Sequence, residues 1–125
     1  MTEASVLIVE DDRAARRAIG AILRKRGFAV CECGSVADAL RGLSNPMSAP
    51  PQWVLLDLML PDGSGIDVIR AVRGKGMPTQ VCVVTGCCAE QVNEARRAGA
   101  TFAFTKPLNL NRLMAALTTQ PVGEA

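Results

Sequence analysis

The chain predicts an α/β fold in which an open parallel sheet is covered by helices on both faces. Short apolar runs alternate with segments of helical periodicity along all 125 residues, the pattern of repeated strand-helix units. One run, "WVLLDL" at 53–58, is apolar without alternation, as expected of a central parallel strand buried on both sides. Capping residues and glycines stand where the helices would start and stop.

The elements follow in order. "SVLIV" (5–9) reads as the first strand, with Ala15, Ile19, Ile22 and Leu23 at helical spacing behind it. Asp12 is placed to cap that helix and Gly27 to end it. "FAVCEC" (28–33) is a second strand, and Ser35 with Asp38 resembles a capping box opening a short helix through about Leu43. "NPMSAPP" then breaks the chain before the third strand. Ile66, Val68, Ile69 and Val72 mark the third helix, "QVCVVTG" (80–86) the fourth strand, and "AEQVNEARRAG" a helix ending at Gly99. "TFAFT" (101–105) is the fifth strand, and "NLNRLMAAL" the last helix, with Leu110, Leu113, Met114 and Leu117 on its apolar side. In such sheets ligands bind outside the carboxyl ends of the strands.

Composition bounds the function. An apolar content of 49% in 125 residues supplies one core. Apolar runs such as "VLIV" fall far short of the ~18 residues that cross a bilayer. The start, "MTEASVLIVEDD", lacks a secretory-signal pattern, so the expectation is a soluble cytoplasmic chain. The absence of histidine removes every imidazole-based triad and metal site. Cys31, Cys33, Cys82, Cys87 and Cys88 have no zinc-site spacing and read as small buried hydrophobes, although the vicinal pair Cys87 and Cys88 is oxidisable. A net charge of +2 decides nothing about nucleic acid. Arg13, Arg16, Arg17, Arg24 and Lys25 on the first helix read as a solvated face, with kinase docking as the sharper alternative.

Chemistry gathers at the strand ends. The first strand delivers Glu10, Asp11 and Asp12, the third Asp57, the fourth Thr85 and the fifth Lys106. Asp12 is better read as a helix cap. An unpaired carboxylate at Asp57 is costly to bury, and close to Glu10 and Asp11 it must hold a proton or recruit a cation. Mg²⁺ suits such oxygen donors. A dinucleotide fold is disfavoured, because "VEDDRAA" places acids where phosphate-binding glycines would be needed. With a divalent ion, Asp57 becomes a carboxylate nucleophile for a phosphoryl group, and Lys106 and Thr85 contact its remaining oxygens. A carboxylate is already ionised at neutral pH, so no general base is required. A phosphohistidine donor would have to lie on another protein.

"VLIVEDD", "LLDLMLPDGSGIDVI", "VVTG" and "AGATFAFTKP" together resemble the receiver domain of two-component response regulators, over essentially the whole chain. The resemblance implies a flavodoxin-like (βα)5 fold with strand order 2-1-3-4-5. It implies Asp57 as phosphoacceptor, and Glu10, Asp11, Asp57 and the backbone carbonyl of Met59 as ligands of Mg²⁺ or Mn²⁺. Thr85 and Lys106 match the family's hydroxyl and lysine, and the Lys106–Pro107 bond is cis in such domains. Pro61 and Gly65 shape the loop below the acceptor. Phe104 matches the aromatic that rotates inward when Thr85 is drawn to the phosphoryl group, so Thr85 and Phe104 form the switch. The output face would be the fourth helix, fifth strand and fifth helix, used for homodimerisation or for docking another protein. The donor would be a sensor histidine kinase or histidine phosphotransfer protein. Met59 sets an apolar side chain beside the path of attacking water, and "GCCAEQ" is a cysteine-rich departure after Thr85.

On this reading residues 1–120 form the receiver domain and 121–125 a tail or the start of a linker. Both a stand-alone receiver and one followed by an effector domain beyond residue 125 fit, and Pro-Val-Gly-Glu favours the latter. No helix-turn-helix for DNA is expected. The chain would catalyse only its own phosphorylation and dephosphorylation. Two alternatives are a haloacid-dehalogenase-type phosphatase, which needs a second acid where Met59 stands, and an interaction module that works without phosphorylation.

Overall fold

The structure, a computed structural model, describes residues 4–45, 49–86 and 89–118. In chain order the elements are β1 (Ser5–Val9), α1 (Arg13–Lys25), β2 (Ala29–Cys33), α2 (Val36–Leu43), β3 (Trp53–Asp57), β4 (Met59–Leu60), β5 (Gly63–Ser64), α3 (Ile66–Gly74), β6 (Gln80–Thr85), α4 (Ala89–Ala98), β7 (Phe102–Thr105) and α5 (Leu110–Thr118). Cys87 and Cys88, part of the 45–51 break and the tail from residue 119 lie outside the described residues.

The main sheet runs β2-β1-β3-β6-β7 with every neighbouring pair parallel. With the β4–β5 hairpin set aside, this is the 2-1-3-4-5 order of the flavodoxin-like fold. β3 is central and all five of its residues are buried, which is why its sequence does not alternate. Val54 and Leu56 pack with Val36, Ala39, Ile69 and Val72 of α2 and α3 and with Ala95 of α4. Trp53 and Leu55 pack with Leu23 of α1 and Leu113, Met114 and Leu117 of α5. Each fully buried Val, Leu or Ile contributes about 1.5–3 kcal/mol. These two cores hold β3 from both sides and fix where its last residue, Asp57, emerges.

Local signals act as the sequence implies. Asp12 caps α1 by accepting from the Ala14 and Ala15 amides. Gly27, at φ +94°, ends it: its amide donates to Arg24 O and that of Phe28 to Leu23 O, at 3.0 and 3.1 Å. This double bond pattern needs a left-handed residue, which glycine adopts without a Cβ penalty. Ser35 Oγ accepts from the Asp38 amide at 3.1 Å, but the Asp38 carboxylate turns outward to Arg41 at 2.8 Å. Only half of the expected capping box forms. Asp62 supplies a second cap from across the fold, accepting from the Val36 and Ala37 amides at 2.8 and 2.9 Å.

One expectation changes, that for Cys31, and two details are new. Leu110 is exposed, because the apolar face of α5 meets the core only from Leu113 onward. The loop after Asp57 contains a small antiparallel hairpin, Met59 opposite Ser64 and Leu60 opposite Gly63. Of the cysteines, Cys82 is buried and Cys33 half-buried, whereas Cys31 is exposed on β2, the edge strand.

Candidate functional site

The β1 end builds the first part of the site. The Glu10 amide extends the strand pairing to Cys33 O at 3.0 Å. Its carboxylate folds back, Oε2 accepting from the Asp12 amide at 3.0 Å. Glu10 is thereby buried while Asp11 remains exposed. Asp12 is committed to capping α1, as expected.

β3 brings Asp57 to the same rim. Asp57 is 6% exposed; its Oδ1 accepts from the Met59 amide at 3.0 Å and its Oδ2 from Lys106 Nζ at 2.9 Å. Lys106 Nζ also lies 3.6 Å from Glu10 Oε1. The lysine is aimed from its backbone, whose amide donates to Thr85 O at 3.0 Å, and the following Lys106–Pro107 bond is cis. Thr85 is fully buried, one residue past Val84, which pairs with Asp57. Phe104 pairs in register with Val84 and is half-buried against the α1/α5 core, stacked at 6.4 Å on Phe102.

A carboxylate oxygen from each of Glu10, Asp11 and Asp57 lies within 4.8 Å of the others. Three carboxylates therefore face one ammonium. Burial pushes the Glu10 carboxyl above its usual range, and the neighbouring Asp57 charge adds to this. Lys106 is pushed up chiefly by its hydrogen bond to Asp57. A hard divalent cation with oxygen ligands fits this excess of negative charge and this donor set. Glu10, Asp57 and Lys106 line a cavity of about 300 Å³ together with the apolar Ile8, Leu55 and Val84.

The loop beneath is closely fitted. A Cβ on Gly65 would lie 2.5 Å from Asp57 O and 3.1 Å from Leu56 Cδ1. Gly65 donates its amide to Leu58 O at 2.8 Å. It is thus required by close packing under the strand end, beyond its turn role. Met59 projects outward, 66% exposed.

The basic face of α1 is not uniformly solvated. Arg16 donates to Glu10 O at 2.9 Å and lies 3.6 Å from Glu32 Oε1. Arg24 pairs with Glu32 Oε2 at 3.0 Å and donates to Val30 O. Arg13, Arg17 and Lys25 are exposed. The reason is that β2 supplies an acid, Glu32, which inspection of the helix alone cannot place. Sequence reasoning also passed over Asp62 and over Arg73, whose guanidinium donates to Gly99 O and Thr79 O at 2.9 and 2.7 Å.

Residues 6–118 match the response regulator receiver domain, and the chain belongs to that family. It is 40% identical over 119 residues to the acid tolerance regulatory protein ActR of Rhizobium meliloti, covering 94% of this chain and 59% of ActR. Among solved structures, a CheY-like response regulator receiver domain protein from Methanospirillum hungatei superposes with TM-score 0.80 at 27% identity, covering 93% of this chain and 94% of that one. The BeF3-activated DrrB receiver domain gives 0.81 at 28%, covering 93% and 95%. The chain thus spans less than two thirds of the ActR length. Among the described residues no helix is long and apolar enough to cross a membrane.

Proposed function

We propose that this chain is a phosphorylation-dependent signalling switch, with Asp57 as the phosphoacceptor. The supporting observation is the 2.9 Å contact of Lys106 Nζ with Asp57 Oδ2, between residues 49 apart in sequence, at a rim where Glu10 and Asp11 also converge. An Asp57 oxygen attacks the phosphorus of a phosphohistidine on a sensor histidine kinase or histidine phosphotransfer protein. The P–O bond forms, the P–N bond breaks, and the electron pair stays on the partner's imidazole. Glu10, Asp11, Asp57 and the Met59 carbonyl would hold Mg²⁺ or Mn²⁺. When bound, the ion offsets charge on the phosphoryl oxygens. Lys106 and the Thr85 hydroxyl orient those oxygens, and Phe104 follows Thr85 to carry the change toward α4, β7 and α5.

Residues 1–120 act as the receiver and 121–125 as a tail or linker, with the output delivered in the cytoplasm by dimerisation, docking or an attached effector domain. The domain itself contacts neither DNA nor membrane. It turns over no external phosphoester, because the exposed Met59 stands where a dehalogenase-type phosphatase requires its acid. Acetyl phosphate with Mg²⁺ is expected to add the mass of one phosphoryl group. Without Mg²⁺, or in Asp57→Asn, it should add none. Equal labelling of Asp57→Asn would overturn the assignment.

A further inference from the structure

Arg16 is tied to the acid cluster by geometry that its place on a basic helix face does not suggest. Its guanidinium donates to the Glu10 carbonyl at 2.9 Å and its Nε lies 3.6 Å from Glu32 Oε1. Arg16 and Glu32 side chains are only 19% and 18% exposed. Two glycines face this pair. A Cβ on Gly34 would come within 2.9 Å of the Arg16 guanidinium, and one on Gly20 within 2.7 Å of Glu32 Oε2. Arg24, at 3.0 Å, holds the other side of Glu32. Glu10 is the first residue beyond β1. Its amide is fixed by Cys33 O, and its carbonyl by Arg16.

We infer that Arg16, braced by Glu32, is a positioning residue that sets the backbone at Glu10 and Asp11 and so tunes how tightly the acid cluster holds its divalent cation. It touches neither the acceptor nor the phosphoryl group, and acts by restricting the peptide from which both acids project. The inference rests on the proposed Mg²⁺-dependent phosphoacceptor role. Residues one shell removed from metal ligands typically change affinity by about 10–100-fold when replaced. Arg16→Met is expected to show a loss in that range, and Glu32→Gln, which leaves the Arg16–Glu10 bond possible, a smaller one. Arg16→Lys, with one short-reaching amine in place of the planar fork, should restore part of the affinity. Arg13→Met, on the exposed side of α1, should change nothing.

Calorimetric titration of each variant with MgCl₂ reads the affinity directly, with circular dichroism and thermal melting as a check on folding. Acetyl phosphate labelling adds a second readout: the Mg²⁺ concentration for half-maximal labelling should rise in Arg16→Met, while the rate at saturating Mg²⁺ stays close to that of the unmodified protein. A folded Arg16→Met with unaltered Mg²⁺ affinity would overturn the inference. If Arg16→Met does not fold, unaltered affinity in both Arg16→Lys and Glu32→Gln would overturn it equally. Unmodified protein that binds no Mg²⁺ would overturn this inference and the proposed function together, whereas unmodified protein that binds Mg²⁺ beside indifferent variants would overturn the inference alone.

Discussion

Replacing Gly65 by alanine probes how closely the acceptor strand is seated. Gly65 has φ −60°, ordinary for any residue, so the substitution tests space and not backbone conformation. The new methyl would lie 2.5 Å from Asp57 O. A relaxed C···O contact needs about 3.3 Å, so the groups must part by ~0.8 Å. Leu56, whose fully buried side chain lies 3.1 Å from the same methyl, crowds it further. Overpacking of this kind costs about 1–3 kcal/mol. The matched control is Gly42→Ala within α2, where a Cβ meets nothing within 4 Å; there alanine should stabilise by roughly 0.5–1 kcal/mol. Urea denaturation would measure both, and at about 4 °C per kcal/mol thermal melting would separate them clearly. Gly65→Ala should also be phosphorylated more slowly, since the Asp57 peptide moves. Gly65→Ala as stable as Gly42→Ala would refute the packing argument.

Three further outcomes are expected. Lys106→Ala removes the cation that pairs with Asp57 and Glu10; because the lysine side chain is 43% exposed, the loss is set at about 1 kcal/mol, and it should shrink when Mg²⁺ replaces the missing charge, as melting with and without the ion would show. The Ala37 and Val36 amides hold the Asp62 carboxyl below its usual range; a depressed folded value contributes stability that is full above the ordinary Asp value near ~4 and is lost as pH falls through the folded one. The melting temperature of the unmodified protein should therefore exceed that of Asp62→Ala at neutral pH, with the gap closing in acid; a gap that does not narrow would contradict the cap. Burial pushes the Cys82 thiol up to about 12, so iodoacetamide at mildly alkaline pH should alkylate Cys31 in the native protein and Cys82 only after denaturation, as peptide mass mapping would report.

Most of the fold and the charged centre of the site could be read before the structure, for a common reason. A central parallel strand must be apolar on both faces, so Asp57 stands out at its end, and the strand-end rule then gathers Glu10, Asp11, Thr85 and Lys106 onto one rim. What could not be read depends on partners distant in sequence. Asp62 sits in a Pro-Asp-Gly turn, and nothing local tells that its carboxylate caps a helix 26 residues earlier. Arg16 and Arg24 look solvated on a helical projection because Glu32, their partner, belongs to the neighbouring edge strand. The β4–β5 hairpin spans two residues on each side, too few for any periodicity to show. The exposure of Cys31 is illegible because apolar character alone does not reveal that a strand is an edge.

The proposed switch depends on a cation site made by the ends of β1 and β3. Diffraction from crystals soaked in MnCl₂, recorded for the anomalous signal of manganese, tests this most directly. One ion is predicted among the carboxylates of Glu10, Asp11 and Asp57, with the Met59 carbonyl in its shell and Lys106 beside it. An ion bound elsewhere, or carboxylates left without one at saturating metal, would contradict it.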